Sequence, residues 1–181
     1  MGISTTEPTG TPRELEFEVR DRDCFFVAAS ARAACRVDLE HIVNRSDGRL
    51  LEYFTVEGTG PDRVLSMAED ATAIDRARLI GRGVDGGLFE FVVSGPCVTT
   101  TLADTDAIAT AVSADAGVGH VVADVPGHVD VRRVVERFRD GHANAELTAC
   151  RDADGPVPVR TERGVHATMT IDLTDKQQEV L

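Results

Sequence analysis

Lysine is almost missing from this sequence: of 19 basic residues only Lys176 is a lysine, and 31 acidic residues leave a formal net charge of −12. Such a surface repels a phosphate backbone at ordinary ionic strength, so this segment is not expected to bind nucleic acid by itself. Tryptophan is absent and tyrosine occurs once, at Tyr53. With 42% hydrophobic residues, the core must be mainly aliphatic, and 181 residues are enough to bury one. The four cysteines, Cys24, Cys35, Cys97 and Cys150, include no CxxC pair, which removes the usual zinc spacing. No apolar run approaches the roughly 20 residues of a bilayer-spanning helix. The segment Met1 to Thr6 lacks the basic-then-apolar order of a secretion signal. The expectation is a cytoplasmic protein with free thiols and no membrane partner.

What is present is carboxylate in excess, arginine in place of lysine, and small apolar side chains. That combination suits a protein working in molar salt, where the Debye length falls to about 3 Å and like charges scarcely interact.

Periodicity divides the chain. Residues 1–12, rich in Thr, Pro, Gly and Ser, read as a disordered leader. Leu15 to Arg20 alternates as a strand with one wet face. Phe25-Phe26-Val27 is a short apolar segment, followed by a small-residue turn from Ala28 to Ala34. Cys35 to Val43 and Leu50 to Val56 flank Ser46-Asp47-Gly48-Arg49 and predict a hairpin. Pro61 at a first helical position, with Val64, Leu65, Ala68 and Ala71, predicts a helix over 61–71. Ile74 to Gly83 returns as a strand.

After Asp85-Gly86-Gly87, Leu88 to Val93 reads as a central strand. Residues 97–106 read as a short helix despite β-branched Thr99, Thr100 and Thr101. Ile108 to Ala114 and Gly119 to Val125 bracket a second hairpin. From Asp130, the stripe Val131, Val134, Val135 and Phe138 predicts a helix that Gly141 stops, and Ala145 to Cys150 closes the unit as a strand. The order strand, helix, strand, strand, helix, strand over 86–151 is that of the ferredoxin-like split βαβ motif. The expected fold is α+β: antiparallel sheets with helices on one face, in tandem ferredoxin-like units over 13–84 and 85–151. Residues 152–172, with Gly155-Pro156-Val157-Pro158, read as a linker.

Candidate sites are few. His120, Asp124 and His128 are the nearest approach to a metal cluster, yet His128 lies beyond Pro126 in a turn. His41 alternates with Glu40 and reads as a wet-face residue. The cysteines read as small packing residues. Gly81-Arg82-Gly83-Val84-Asp85-Gly86 matches GxGxxG, but a strand rather than a helix follows, so it reads as a hairpin turn. The arginines of the 130–139 helix alternate with Glu136 as a solvated face. The expectation is a non-enzyme: no catalytic residue, no metal, no cofactor, and no DNA-binding residue within this chain.

Residues 173–181, Leu-Thr-Asp-Lys-Gln-Gln-Glu-Val-Leu, open a helix, with Thr174 as N-cap and Gln177 completing a capping box. The motif alone fits equally the start of a further domain and a short terminal helix docked through Val180 and Leu181. This segment resembles the start of the helix-turn-helix domain of haloarchaeal bacterio-opsin activator-type regulators. The upstream chain is similar to the same family's input domain at Phe25-Phe26-Val27, at Cys35 to Glu40, at Arg45 to Phe54, at Gly87 to Val93 and at Ala145-Glu146-Leu147. The resemblance implies an amino-terminal domain that senses a signal and a carboxy-terminal domain that reads DNA, with residues 173–181 beginning a truncated helix-turn-helix. A ferredoxin-like module that binds a small molecule or partner, with no DNA-binding role, is the alternative. On the regulator reading DNA is a partner only through the missing domain, and reading paired half-sites implies a homodimer.

The salt argument predicts loss of structure on dilution, as unscreened carboxylates repel. A salt titration followed by circular dichroism and light scattering is expected to show folded dimers in molar salt and unfolding in dilute buffer. A fold unchanged in dilute buffer overturns the first expectation, and monomers at high concentration in molar salt overturn the second.

Overall fold

Alternation decides which side of each strand is covered. In the computed structural model, which describes residues 10–153, every second residue of β1 (Arg13–Val19) is buried, namely Leu15, Phe17 and Val19. β3 (Leu50–Glu57) repeats the pattern with Leu50, Glu52, Phe54 and Val56. These faces join helix residues in a single core. The leader through residue 9, the linker beyond 153 and the helix start at 173–181 lie outside the described residues.

The remaining elements are α1 (Phe25–Ala33), β2 (Arg36–Asn44), α2 (Pro61–Glu69), β4 (Ile74–Gly83), β5 (Gly86–Val93), α3 (Val98–Ala103), β6 (Ile108–Asp115), β7 (Val118–Val125), α4 (Val131–Gly141) and β8 (Ala145–Asp152). The class is α+β, with one antiparallel sheet and four helices. Among the described residues, no helix is long and apolar enough to cross a membrane.

α1 differs from the sequence expectation. Phe25 to Ala33 is helical throughout, where a short apolar segment and a turn were expected. Four alanines among nine residues favour a helix, and Phe26, Val27, Ala29 and Ser30 bury one side of it. The turn begins only at Ala34, which adopts a left-handed conformation (φ 50°) and donates its N–H to Ser30 O.

The strand order is β4-β5-β3-β2-β6-β7-β1-β8. It is symmetric about the β2–β6 junction: β3 matches β7, β5 matches β1, and β4 matches β8. The strands opening residues 13–84 and 85–151 have changed places. β1 lies between β7 and β8, and β5 between β3 and β4. Two separate four-stranded sheets, one per sequence unit, are therefore not what forms; each half takes its inner strand from the other unit. Phe17 on β1 accordingly packs on Phe138 of α4, with ring centroids 4.3 Å apart.

The halves meet along a short seam. β2 and β6 pair only through Arg36, Asp38 and the residue between them, opposite Asp115 to Ser113. Beyond this the strands part around a register irregularity at Leu39/His41, leaving a cleft that includes Leu39, Ile42, Ile108 and Ala109.

The face away from the core is tied by charge. Glu90 on β5 stands opposite Tyr53 on β3 and Arg78 on β4. The Tyr53 hydroxyl and Arg78 Nη2 each donate to its Oε2 at 2.8 Å, and Arg78 Nε lies 2.7 Å from its Oε1. Its side chain is hidden by these neighbours, with Arg76 at 3.8 Å, rather than by the apolar core. Hydrogen bonding from Arg78 holds the carboxyl below its ordinary value. Stability from this group is present above the ordinary carboxylate range and is lost as pH falls through the lowered value. Glu90→Gln is expected to cost about 1–2 kcal/mol at neutral pH and progressively less in acid. Denaturant titrations at both pH values check this; an equal loss at both assigns the effect to packing instead.

Candidate functional site

Three connections on the core side deliver polar side chains to one region. The β1–α1 connection carries Asp21, Asp23 and Cys24, with Cys24 immediately before α1. The β5–α3 connection carries Cys97, immediately before α3. The α4–β8 connection carries His142, just after α4 ends. Cys24 and Cys97 thus hold matching positions in the two halves, each starting the helix that follows an exchanged strand. Both line one small cavity with Glu52, Phe54 and Phe91.

Backbone contacts set the local geometry. Asp21 Oδ1 accepts from Asp23 N–H at 2.9 Å, and its Oδ2 accepts from Ala143 N–H at 3.1 Å, pinning the β1–α1 turn to the α4–β8 turn. Cys97 N–H donates to Thr100 Oγ1 at 3.0 Å, capping α3. His142 stacks obliquely on Phe138, with ring centroids 4.9 Å apart. Its Nδ1 lies 3.6 Å from Cys24 Sγ, and its Nε2 3.0 Å from Thr101 Oγ1.

Burial dominates the electrostatics. Desolvation, then the Asp21 carboxylate, pushes the Cys24 thiol up to about 12. Burial and the nearby Glu52 raise the Cys97 thiol. Burial likewise raises Glu52, against a hydrogen bond from Cys97. His142 is lowered by burial, opposed by Asp21. At neutral pH the thiols of Cys24 and Cys97 are therefore protonated and the imidazole is neutral. A thiolate nucleophile, which needs a depressed pKa, is not available in this state. The donor set, thiol, imidazole and carboxylate, is one that metal ions favour.

The residues weighed from the sequence lie elsewhere. His120 is exposed on β7, and Asp124 is buried four residues further along the same strand, about 13 Å away at the usual strand rise. His128 follows in the turn after β7. His41 and Glu40 are both exposed beside the β2 irregularity, so strict alternation fails there. Gly81 to Gly86 forms the β4–β5 hairpin. A Cβ on Gly86 (φ +148°) would come within 1.9 Å of Val56 O, so close strand approach explains this glycine. Arg132, Arg133, Arg137 and Arg139 line the exposed side of α4. Cys35 is buried with its Sγ 3.6 Å from Ala29 O, whereas Cys150 is exposed on β8 rather than packed.

Asp21, Glu52, Thr101 and His142 were not singled out from the sequence. Glu52 was legible, because it falls in phase with Leu50, Phe54 and Val56 on the buried side of its strand. The convergence of Asp21, Cys24 and His142 was not, since 118 residues separate Cys24 from His142.

One antiparallel sheet with four helices makes this an α+β domain, with the polar cluster gathered at the connections that follow β1, β5 and α4. A family model described as "BAT: GAF and HTH_10 associated domain" matches residues 13–165, and the chain belongs to that family. No curated protein matches it.

The raised thiols predict graded reactivity. A thiol reagent at mildly alkaline pH is expected to modify exposed Cys150 rapidly, and Cys24 and Cys97 at least about tenfold more slowly, as un-ionised buried thiols do. Peptide mapping of the labelled protein checks the order; rapid labelling of Cys24 would contradict its burial and elevation.

Proposed function

We propose that this chain is the input domain of a haloarchaeal bacterio-opsin activator-like transcription regulator, acting on DNA only through a helix-turn-helix domain and carrying out no catalysis of its own. The observation that carries this reading is the family match over residues 13–165, whose description associates the domain with GAF and helix-turn-helix partners. The charge of −12 supports a division of labour in which this segment receives a signal and another contacts phosphate. The buried, un-ionised thiols support a sensing or structural role over nucleophilic chemistry. We read the two halves as ferredoxin-like units that have exchanged first strands. An event in one half is then felt in the other, because each inner strand belongs to both, and such coupling is what an input domain needs.

The β2–β6 cleft favours a second reading, a ligand- or partner-binding module without a DNA role. Deleting the gene in its host, then restoring the wild-type gene or one carrying Phe138→Ala, separates the two. The input-domain reading expects a defined set of transcripts to change on deletion and return with the wild-type gene. Phe138→Ala, which should cost about 3–5 kcal/mol of stability, is expected to fail to restore them. A transcript profile indifferent to deletion under every growth condition tried would leave the module reading.

A further inference from the structure

We propose that Asp21, Cys24 and His142 form a binding site for a thiophilic divalent metal ion of the zinc class, with one coordination position left to water or an incoming donor. Their ligand atoms all lie within 4.8 Å of one another. Cys24 Sγ and His142 Nδ1 are 3.6 Å apart. Zinc bonds of about 2.3 Å to sulfur and about 2.0–2.1 Å to nitrogen, at a tetrahedral angle, place those atoms about 3.6 Å from each other.

The histidine is oriented for this task. The Thr101 hydroxyl lies 3.0 Å from the Cys97 carbonyl, which can only accept, so it donates there. Thr101 Oγ1 therefore accepts the Nε2–H of His142 at 3.0 Å. Nδ1 is left as a bare lone pair directed at Cys24 Sγ. Anchoring the far ring nitrogen in this way fixes the tautomer of a metal-ligating histidine.

Asp21 supplies the charge. It is buried, its oxygens accept two backbone N–H groups, and among the described residues no basic side chain forms an ion pair with it. A buried carboxylate held by neutral donors is costly, and a divalent cation offsets that cost. On binding, the Cys24 S–H bond breaks, its proton leaves to solvent, and the sulfur, imidazole and carboxylate lone pairs form the three metal bonds. No oxidant or reductant is needed, and affinity rises with pH because a proton is released. The alternative occupant of the 3.6 Å gap is the thiol's own proton, hydrogen-bonded to Nδ1. This inference stands independently of the regulator reading.

Titrating the purified chain with Zn2+, and with Co2+ as a spectroscopic stand-in, tests it. One equivalent is expected to bind with proton release, and the cobalt form is expected to show a thiolate charge-transfer band. Cys24→Ser and His142→Gln are expected to abolish that band while Cys97→Ser retains it. Thr101→Val, which frees the ring, is expected to weaken binding about 10- to 100-fold. No stoichiometric uptake, or uptake unchanged in both Cys24→Ser and His142→Gln, overturns the site. If those variants lose their circular dichroism, wild-type labelling decides. Over long exposure, Cys24 modified in metal-free protein but protected with one equivalent of Zn2+ supports the site, and equal modification overturns it.

Discussion

The exchange of β1 and β5 is the constraint on which the rest of the structure depends. β1 places Leu15, Phe17 and Val19, all essentially inaccessible, into the half sheet made by β6, β7 and β8. Burying three such side chains contributes about 1.5–3 kcal/mol each, and none of it is available to a half that folds alone. β5 does the same for the other half through Phe89, Phe91 and Val93. The short β2–β6 seam can be so slight because it is not what holds the halves together. The connections that follow the exchanged strands run into α1 and α3, which is why Cys24 and Cys97 meet in one cavity.

The elements were legible where one local signal sufficed. Pro61 and its apolar stripe marked α2, Val131, Val134 and Phe138 marked α4, and the two hairpins followed from alternation interrupted by turn residues. The family, too, could be read from short motifs, and the match over 13–165 bears that out. α1 was missed because an alanine-rich run carries weak periodicity, and its buried side became evident only once Phe25 and Phe26 had partners, at Phe91 and Phe54. Strand order was beyond reach for a different reason. Alternation says which side of β1 is buried, but not that its neighbours are β7 and β8, more than 90 residues away along the chain. The candidate site inherits that limit: Asp21, Cys24 and His142 are unremarkable singly and acquire chemistry only by convergence.

Within the buried cluster, neutrality is the common theme. Glu52, Cys97, Cys24 and His142 are each shifted toward the uncharged form, chiefly by burial. Asp21 instead keeps two backbone N–H groups for its carboxylate. Carboxyl, thiol and imidazole groups thus meet in one largely buried region. Such a region responds strongly to whatever brings a positive charge into it, since fields are poorly screened away from water.

The pairing of β1 with β8 has a mechanical side. Arg13 stands opposite Asp152, their side chains form an ion pair at 2.8 Å, and Ala153 N–H donates to Pro12 O, so the described chain enters and leaves the sheet at one corner. Tension drawn between the two flanks would load the ladder one rung at a time from that corner. Unzipping of this kind yields at far lower force than sliding two strands past each other. The corner can therefore open under a modest tug while the far ends of β1 and β8 stay in place.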